Sequence, residues 1–545
     1  MSIYNYKRRP TSVTTVGNTA IGGTNPIRVQ SMTNTSTNDT EACVRQALRI
    51  AEAGGELVRL TTQGVREAAN MANIKNGLDE ADCNVPLVAD VHFNPKAAFM
   101  AATTCDKVRI NPGNFVDAAR TFVKLTYSDS EYKDEIEKIR QTLVPFLETC
   151  KAHRTAIRLG VNHGSLSDRI MSRYGDTPEG MVESVMEYLR ICRENDFNDI
   201  VISIKASNVV VMVETVRLLV RTMSQEDMHY PLHLGVTEAG DGEDGRIKSA
   251  VGIGTLLAEG IGDTIRVSLS EPPENEIPVA VALRDYITGR ADHSPVVEPQ
   301  TESVTPTRRM AIANAPLQLH NVPLVDGLDF NIADIPHITV DASGPIQEIF
   351  DGYAILIHSD NANNVGEIAS WLERYYRQGG NAQAIIRLTY TDQEPDLVRL
   401  KASADFGALL LNGYGNAISL DAPALTPEEN ARLCLAILQA CRLRITKTEY
   451  IACPSCGRTL FDLPTALHKV REATSHLKNL KIGVMGCIVN GPGEMADADY
   501  GYVGAGPDKV SLYKGKELVI KNIPADDALE ALIELIKING DWQDR

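Results

Sequence analysis

Short apolar runs alternate with amphipathic stretches through roughly the first half of the chain. The runs are PIRVQSM (26–32), ELVRLTT (56–62), PLVADVHF (86–93), KVRINPG (107–113), AIRLGVN (156–162), DIVISIKAS (199–207), PLHLGVTEA (231–239) and DTIRVSLS (263–270). Between them lie stretches such as TEACVRQALRIAEAG, MVESVMEYLRICREND and DGRIKSAVGIGTLLAEG. These carry apolar residues three or four apart and end near Gly or Asn, which is helical spacing. Strands alternating with helices predict parallel βα units, and eight of them predict an α/β (β/α)8 TIM barrel rather than an open sheet. Residues 114–155 form a longer connection whose charged run SDSEYKDEIEKIRQTLVPFLETC stands in for a simple crossover helix.

The texture changes near Thr288, where GRADHSPVVEPQTESVTPTR is polar and proline-rich, as linkers are. Further α/β patterning follows in HITVDAS, YAILIHS, NVGEIASWLERYYRQGG, AQAIIRLTY, PDLVRLKASADFGALLLNG and PEENARLCLAILQACRLR. The adjacent His358, Ser359 and Asp360 there do not make a hydrolytic triad, because sequence adjacency is not triad geometry. From about Thr446 a strand, a helix, the strand KIGVMG, a Gly-rich region DADYGYVGAG, the strands KVSLYKG and KELVIKN and a closing helix predict a compact α+β module. The expected domains are therefore a barrel (1–289), an inserted α/β spacer (290–445) and a C-terminal α+β domain (446–545).

Length and charge narrow the function. A chain of 545 residues accommodates about three domains of roughly 150–200 residues. A formal net charge of −17 argues against a nucleic-acid or anionic-membrane surface. No stretch approaches the ~20 apolar residues of a membrane span, and the first residues lack the apolar core of a secretory signal. Cys43, Cys83, Cys105, Cys150, Cys192, Cys434 and Cys441 are single and scattered in apolar contexts, as buried thiols are. They do not form a disulfide framework, and a reducing cytoplasm fits.

Against that acidic background, the predicted strand ends are cationic. In a barrel the C-terminal strand ends surround the active site. Here they carry Arg59, Asp90 and His92, Arg109 and Asn111, Arg158 and Asn162, Lys205 and Ser207, His233 and Glu238, and Arg266 and Ser268. Any one cation has a bland reading as an ion-pair partner. Five from five strands aimed at one mouth point to a small, multiply anionic ligand, most simply a diphosphate, because guanidinium groups grip phosphate oxygens bidentately. His92 and His233 also suit hydrogen-bonded packing, and Asp90 suits an orienting role. Glu238, in the turn TEAGDG, is the candidate general acid: a carboxyl beside bound diphosphate has its charged form disfavoured and donates a proton near neutral pH. Its bland reading is a partner for an active-site Arg.

The second chemical feature is the pair of loops CPSCGR (453–458) and CIVNGPGE (487–494). Cys453, Cys456 and Cys487 with Glu494 offer three thiolates and one carboxylate, a donor set for zinc or for an iron–sulfur cluster. A cluster with one oxygen ligand would have one iron unlike the others, which suits catalysis. Arg458 and Asn490 adjoin these ligands, placed either to reach sulfur or substrate or to cap the loops. A non-catalytic metal or Fe–S protein sensing a phosphorylated ligand, and a non-redox barrel enzyme with structural zinc, are the competing readings. No Cys-x-x-x-Cys-x-x-Cys occurs, which disfavours a radical SAM enzyme.

Taken together, VADVHF, VRINPGN, IRLGVNHGSL, ISIKAS, PLHLGVTEAG, SAVGIGTLLAEGIGDTIRVSLS, ACPSCGR and GCIVNGPGE closely resemble the 4-hydroxy-3-methylbut-2-enyl diphosphate synthases of the methylerythritol phosphate route to isoprenoids. The inserted middle segment is similar to that of the large three-domain type. The resemblance implies a [4Fe-4S] cluster on Cys453, Cys456, Cys487 and Glu494, and as the one oxygen donor Glu494 reads as the replaceable, catalytic ligand. It also implies reductive ring opening and dehydration of 2-C-methyl-D-erythritol 2,4-cyclodiphosphate, with electrons from ferredoxin or flavodoxin. In the two-domain form, the family pattern is a dimer in which one subunit's cluster caps the other's barrel. The extra domain predicts a monomer-competent enzyme that caps its own barrel, with a dimer also possible.

Overall fold

The computed structural model describes residues 2–117, 126–299, 317, 322–453, 456–457, 459, 461–487, 495 and 497–544. These residues form two compact units, one of 1–9, 246–261 and 282–446, the other of 10–245, 262–281 and 447–545.

The larger unit begins with a hairpin of β1 (Val13–Val16) and β2 (Thr19–Gly22). Eight parallel strands follow: β3 (Arg28–Met32), β4 (Leu57–Thr61), β5 (Leu87–Asp90), β6 (Lys107–Ile110), β7 (Ala156–Asn162), β8 (Ile200–Lys205), β9 (His233–Leu234) and β10 (Thr264–Ile265). Their order is β8-β7-β6-β5-β4-β3-β10-β9, and a parallel bridge between Ile202 and Leu232 joins the two ends into a barrel. The expected TIM barrel is therefore present. β9 and β10 are shorter than the apolar runs foretell because the chain leaves the ladder after two residues: the Thr237 N–H donates to the Ala206 carbonyl and Ser270 N–H to the Gly240 carbonyl instead.

Val16 and Ile21 of the hairpin pack with Leu57, Val88, Ala156 and Val201, residues from the N-terminal ends of four strands. The hairpin thus supplies an apolar floor under the barrel, leaving the C-terminal strand ends as the polar mouth. The long connection contains the helix Asp129–His153, started by a capping box between Ser128 and Glu131 and ended by Arg154 in the left-handed region.

The C-terminal part of the same unit is a five-stranded sheet whose strands lie side by side in chain order. β16 (Glu449–Ala452), β17 (Lys481–Met485) and β18 (Tyr500–Gly506) are parallel, and β19 (Lys509–Lys514) and β20 (Glu517–Pro524) complete an antiparallel meander. The helices Leu463–Thr474 and Ala525–Ile538 pack on it through Leu467, Val470, Leu532 and Ile536. The Gly-rich DADYGYVGAG proves to hold a central strand, β18. Its glycines serve close approach rather than a loop: a Cβ at Gly504 would lie 2.4 Å from the Gly486 carbonyl oxygen.

In the smaller unit, β11 (Leu324–Val325), β12 (His337–Asp341), β13 (Ala354–His358), β14 (Ala384–Thr389) and β15 (Ala417–Asp421) form a parallel sheet of order β11-β15-β14-β13-β12. β11 and β15 were not foretold, whereas the other strands and the helices Asn364–Arg377, Pro395–Leu411 and Pro427–Ala440 match the apolar runs. The Ser359 hydroxyl donates to Glu367 at 2.5 Å, a local structural bond. The buried Asp405 carboxylate accepts from Tyr286 (2.5 Å), Tyr390 (2.7 Å), Asn364 (2.9 Å) and Arg290.

Candidate functional site

Register explains how the mouth is assembled. Asp90 pairs with Arg109 across β5 and β6, and Arg109 with Arg158 across β6 and β7. Directly opposed residues face the same side of a sheet, so these three stand in a row inside the barrel. The Asp90 carboxylate lies 3.3 Å from Arg109 and 3.4 Å from His92 Nε2, with Arg59 and Arg158 each at 4.0 Å. Burial alone would raise the Asp90 pKa, yet Arg59, Arg109 and His92 together hold it well below its ordinary range. Arg109 also donates to the Gly160 carbonyl (2.9 Å) and Asn162 Oδ1 (3.4 Å), and is in close contact with His92 Nε2.

Other mouth groups are buried with some of their polar atoms unsatisfied among the described residues. Among the described residues, Arg158 Nε and Nη1, Asn111 Nδ2, His233 Nε2 and Glu238 Oε2 have no hydrogen-bond partner. His233 Nδ1 lies 3.3 Å from Thr264 Oγ1. Burial, then Arg158 and Lys205, push the His233 pKa well down, which favours neutral imidazole. Burial, then Arg59 and Arg266, lower that of Lys205. Arg266 differs from the other cations because Glu276 already grips it through two 3.0 Å bonds. Ser207 and Ser268 are buried at their strand ends. Buried donors without acceptors cost free energy, and clustered cations repel, so an anion is the ligand this arrangement suits.

The sequence reading missed Lys107. It opens β6, is fully buried, and its Nζ has no hydrogen-bond partner among the described residues. Its position two residues before Arg109, and hence on the same strand face, was the signal available.

The cysteine loops leave the adjacent parallel strands β16 and β17, so both start from one sheet edge. The Gly486 N–H donates to Cys453 Sγ at 3.2 Å. Burial raises the Cys453 pKa well above its ordinary value, and Cys456, Cys487 and Glu238 add to the rise. Three sulfurs and the Glu238 carboxylate thus share one electrostatic neighbourhood. Among the described residues no three His, Cys, Asp or Glu side chains are gathered for a single metal ion. In a four-iron cluster each thiolate binds a different iron, so its ligands stand further apart, and the donor set fits such a group. Glu494, Asn490 and Arg458 lie outside the described residues.

Mouth and cysteines meet within this one unit. Ala239 forms a parallel bridge with Ala452, and Ser270 Oγ donates to the Cys453 carbonyl at 2.8 Å. A Cβ at Gly457 would lie 2.6 Å from the Thr35 carbonyl oxygen, so the loop can approach the barrel only because residue 457 has no side chain. Outside this contact, Lys447 pairs with Asp244 and Arg471 with Asp241, each at 2.6 Å. Glu238 adopts φ +48° in the turn between His233 and this ion-paired segment. A non-glycine residue there costs of order 1–3 kcal/mol, held by the surrounding contacts.

A model of the GcpE TIM-barrel domain matches residues 11–281, and one of the GcpE protein C-terminal domain matches residues 449–538. Curated relatives align along the whole chain, including the stretch between those matches. A 4-hydroxy-3-methylbut-2-en-1-yl diphosphate synthase (flavodoxin) of Parabacteroides distasonis is 52% identical over 99% of this chain and 100% of its own length. Proteins with the same name from Phocaeicola vulgatus and Akkermansia muciniphila are 52% and 44% identical, covering 100% of this chain and 100% and 98% of theirs. The chain belongs to the GcpE family.

Proposed function

We propose that the protein converts 2-C-methyl-D-erythritol 2,4-cyclodiphosphate into 4-hydroxy-3-methylbut-2-enyl diphosphate, consuming two electrons and two protons and releasing one water. The observation that carries this reading is the juxtaposition of a cation-lined barrel mouth with three cysteines of the same compact unit. The name of the relatives supports it, and its qualifier supports flavodoxin as electron donor.

In this reading Arg59, Arg109, Arg158 and Lys205 hold the diphosphate, and Asp90 fixes the guanidinium groups around it. Asn111, Asn162, Ser207, Ser268 and His233 offer neutral hydrogen bonds to the ligand, and Arg266 adds charge at the rim. When bound, a [4Fe-4S] group on Cys453, Cys456, Cys487 and Glu494 supplies electrons singly. Glu238 stands between the anion cradle and the cysteines, where it donates the proton that leaves with the departing hydroxyl.

The contacts from Ala239 to Ala452 and from Ser270 to Cys453 lie within one chain, which supports a monomer-competent enzyme whose segment 290–445 acts as spacer between barrel (1–289) and cluster domain (446–545). Mixing a barrel-dead with a cluster-dead variant tests this, since recovered activity would mean a site shared between chains. The reaction itself is tested by anaerobic turnover of the cyclodiphosphate with a chemical reductant. Brown protein that yields the open-chain diphosphate is the expected result; colourless zinc protein without turnover sinks the proposal.

A further inference from the structure

Lys107 is unusual even within the mouth. Its cross-strand partners are Val88 and Ala156, both members of the apolar floor. The stem therefore rises from an apolar layer, and the amine is fully buried without a hydrogen-bond partner among the described residues. A buried ammonium with no acceptor costs several kcal/mol, so the fold gains nothing from a lysine here unless an anion arrives.

The charged and titratable groups of the barrel lumen lie strand by strand around the mouth, and of these Arg158, Arg59 and His233 interact electrostatically with Lys107. The groups are Arg59 on β4, Asp90 on β5, Arg109 on β6, Arg158 on β7, Lys205 on β8 and His233 on β9. Of these only Asp90 is negative, and its oxygens are shared among Arg109, His92, Arg59 and Arg158. Of the other mouth carboxylates, Glu276 is bound to Arg266, and Glu238, in the turn after β9, is among the groups that act on Cys453. Lys107 thus stands in a cation-rich lumen and, among the described residues, has no carboxylate bonded to it. Burial, then Arg158 and Arg59, lower its pKa well below the ordinary lysine value.

We propose that Lys107 is an anion-binding residue at the floor of the cradle, and that an entering diphosphate is bound together with a proton taken up at its amine. The inference rests on the diphosphate reading and extends it to a residue below the strand-end ring. Arrival of the anion supplies the missing acceptor and counter-charge, so the ammonium form becomes favourable only in the complex. Affinity for the diphosphate then falls as pH rises, because fewer protons are available for uptake.

The experiment is calorimetric titration of the anaerobically purified full chain with inorganic pyrophosphate in two buffers of different ionisation enthalpy. Wild-type protein is expected to take up protons on binding. Lys107→Met is expected to bind at least about 10-fold more weakly, to lose about one proton of that uptake, and to unfold at no lower temperature than wild type when ligand-free. A purely structural lysine would instead lower the unfolding temperature and leave proton uptake alone. If Met is not accepted at this position, Lys107→Gln is judged by the same criteria. Wild-type affinity and proton uptake in the variant would overturn the inference while leaving the diphosphate reading intact. Absence of proton uptake in wild type overturns it irrespective of any variant. Wild-type protein that does not bind pyrophosphate would remove the diphosphate reading itself.

Discussion

Replacing Asp90 by Asn keeps the shape of the side chain and removes the carboxylate that faces Arg59, Arg109, Arg158 and His92. One unit-charge pair at 4 Å is worth about 4 kcal/mol at an effective dielectric near 20, before desolvation is counted. Desolvation costs several kcal/mol per buried ion, so the gross attractions do not add up to stability. The relevant quantity is the cost of leaving the partners unpaired, about 3–5 kcal/mol for a buried pair broken on one side. For a unit of this size that amounts to a fall of roughly 4–7 °C in unfolding temperature. The same change should strengthen anion binding, because the cradle loses its negative charge. Thermal unfolding with and without pyrophosphate measures both effects, and the ligand-induced rise should be larger in Asp90→Asn than in wild type. The acid limb gives a second reading. The native carboxyl titrates well below its ordinary 3.8, so its contribution is complete above about that pH and is lost as pH falls through the native pKa. Asp90→Asn should flatten that part of the stability curve. A ligand-free variant as stable as wild type, with an equal response to pyrophosphate, would refute the charge-balance argument.

Three further outcomes are expected. Glu238→Gln should bind pyrophosphate normally and lose about 10²–10⁴-fold in turnover, as removal of a general acid does, whereas full turnover would end the proton-donor role. Gly457→Ala places a Cβ 2.6 Å from the Thr35 carbonyl oxygen, so visible absorbance should persist while turnover drops more than about 10-fold; an unimpaired variant would show that this approach is not required. Asp405→Asn leaves the buried Arg290 guanidinium uncompensated and should destabilise the smaller unit by about 3–5 kcal/mol, read by denaturant unfolding, and a change under about 1 kcal/mol would mean the neighbouring hydroxyls suffice.

Much of the barrel was legible because a buried parallel strand announces itself twice, through its apolar run and through the polar residue where it ends. Arg109, Arg158 and Lys205 were found that way. β18 was not, because Gly501 and Gly504 dilute its pattern, and their reason for being there is contact with Met495 and the Gly486 carbonyl. Lys107 was passed over because it begins an apolar run instead of ending one. Only the pairing with Val88 and Ala156 shows that it faces inward.

By itself the sequence determined the alternating βα order, the residues at the strand ends and the soft-donor chemistry of Cys453, Cys456 and Cys487, since each depends on local periodicity or residue type. Tertiary structure decided which of those residues are satisfied: Arg266 has Glu276, whereas Arg158 Nε and Nη1 and Lys107 Nζ lack acceptors among the described residues. It also decided that the first cysteine loop starts against the barrel mouth of its own unit, through Ala239 with Ala452 and Ser270 with Cys453. The second outcome depends on contacts between residues some 200 positions apart, and the first on which neighbouring strands and helices bring a carboxylate within reach, neither of which a local pattern encodes.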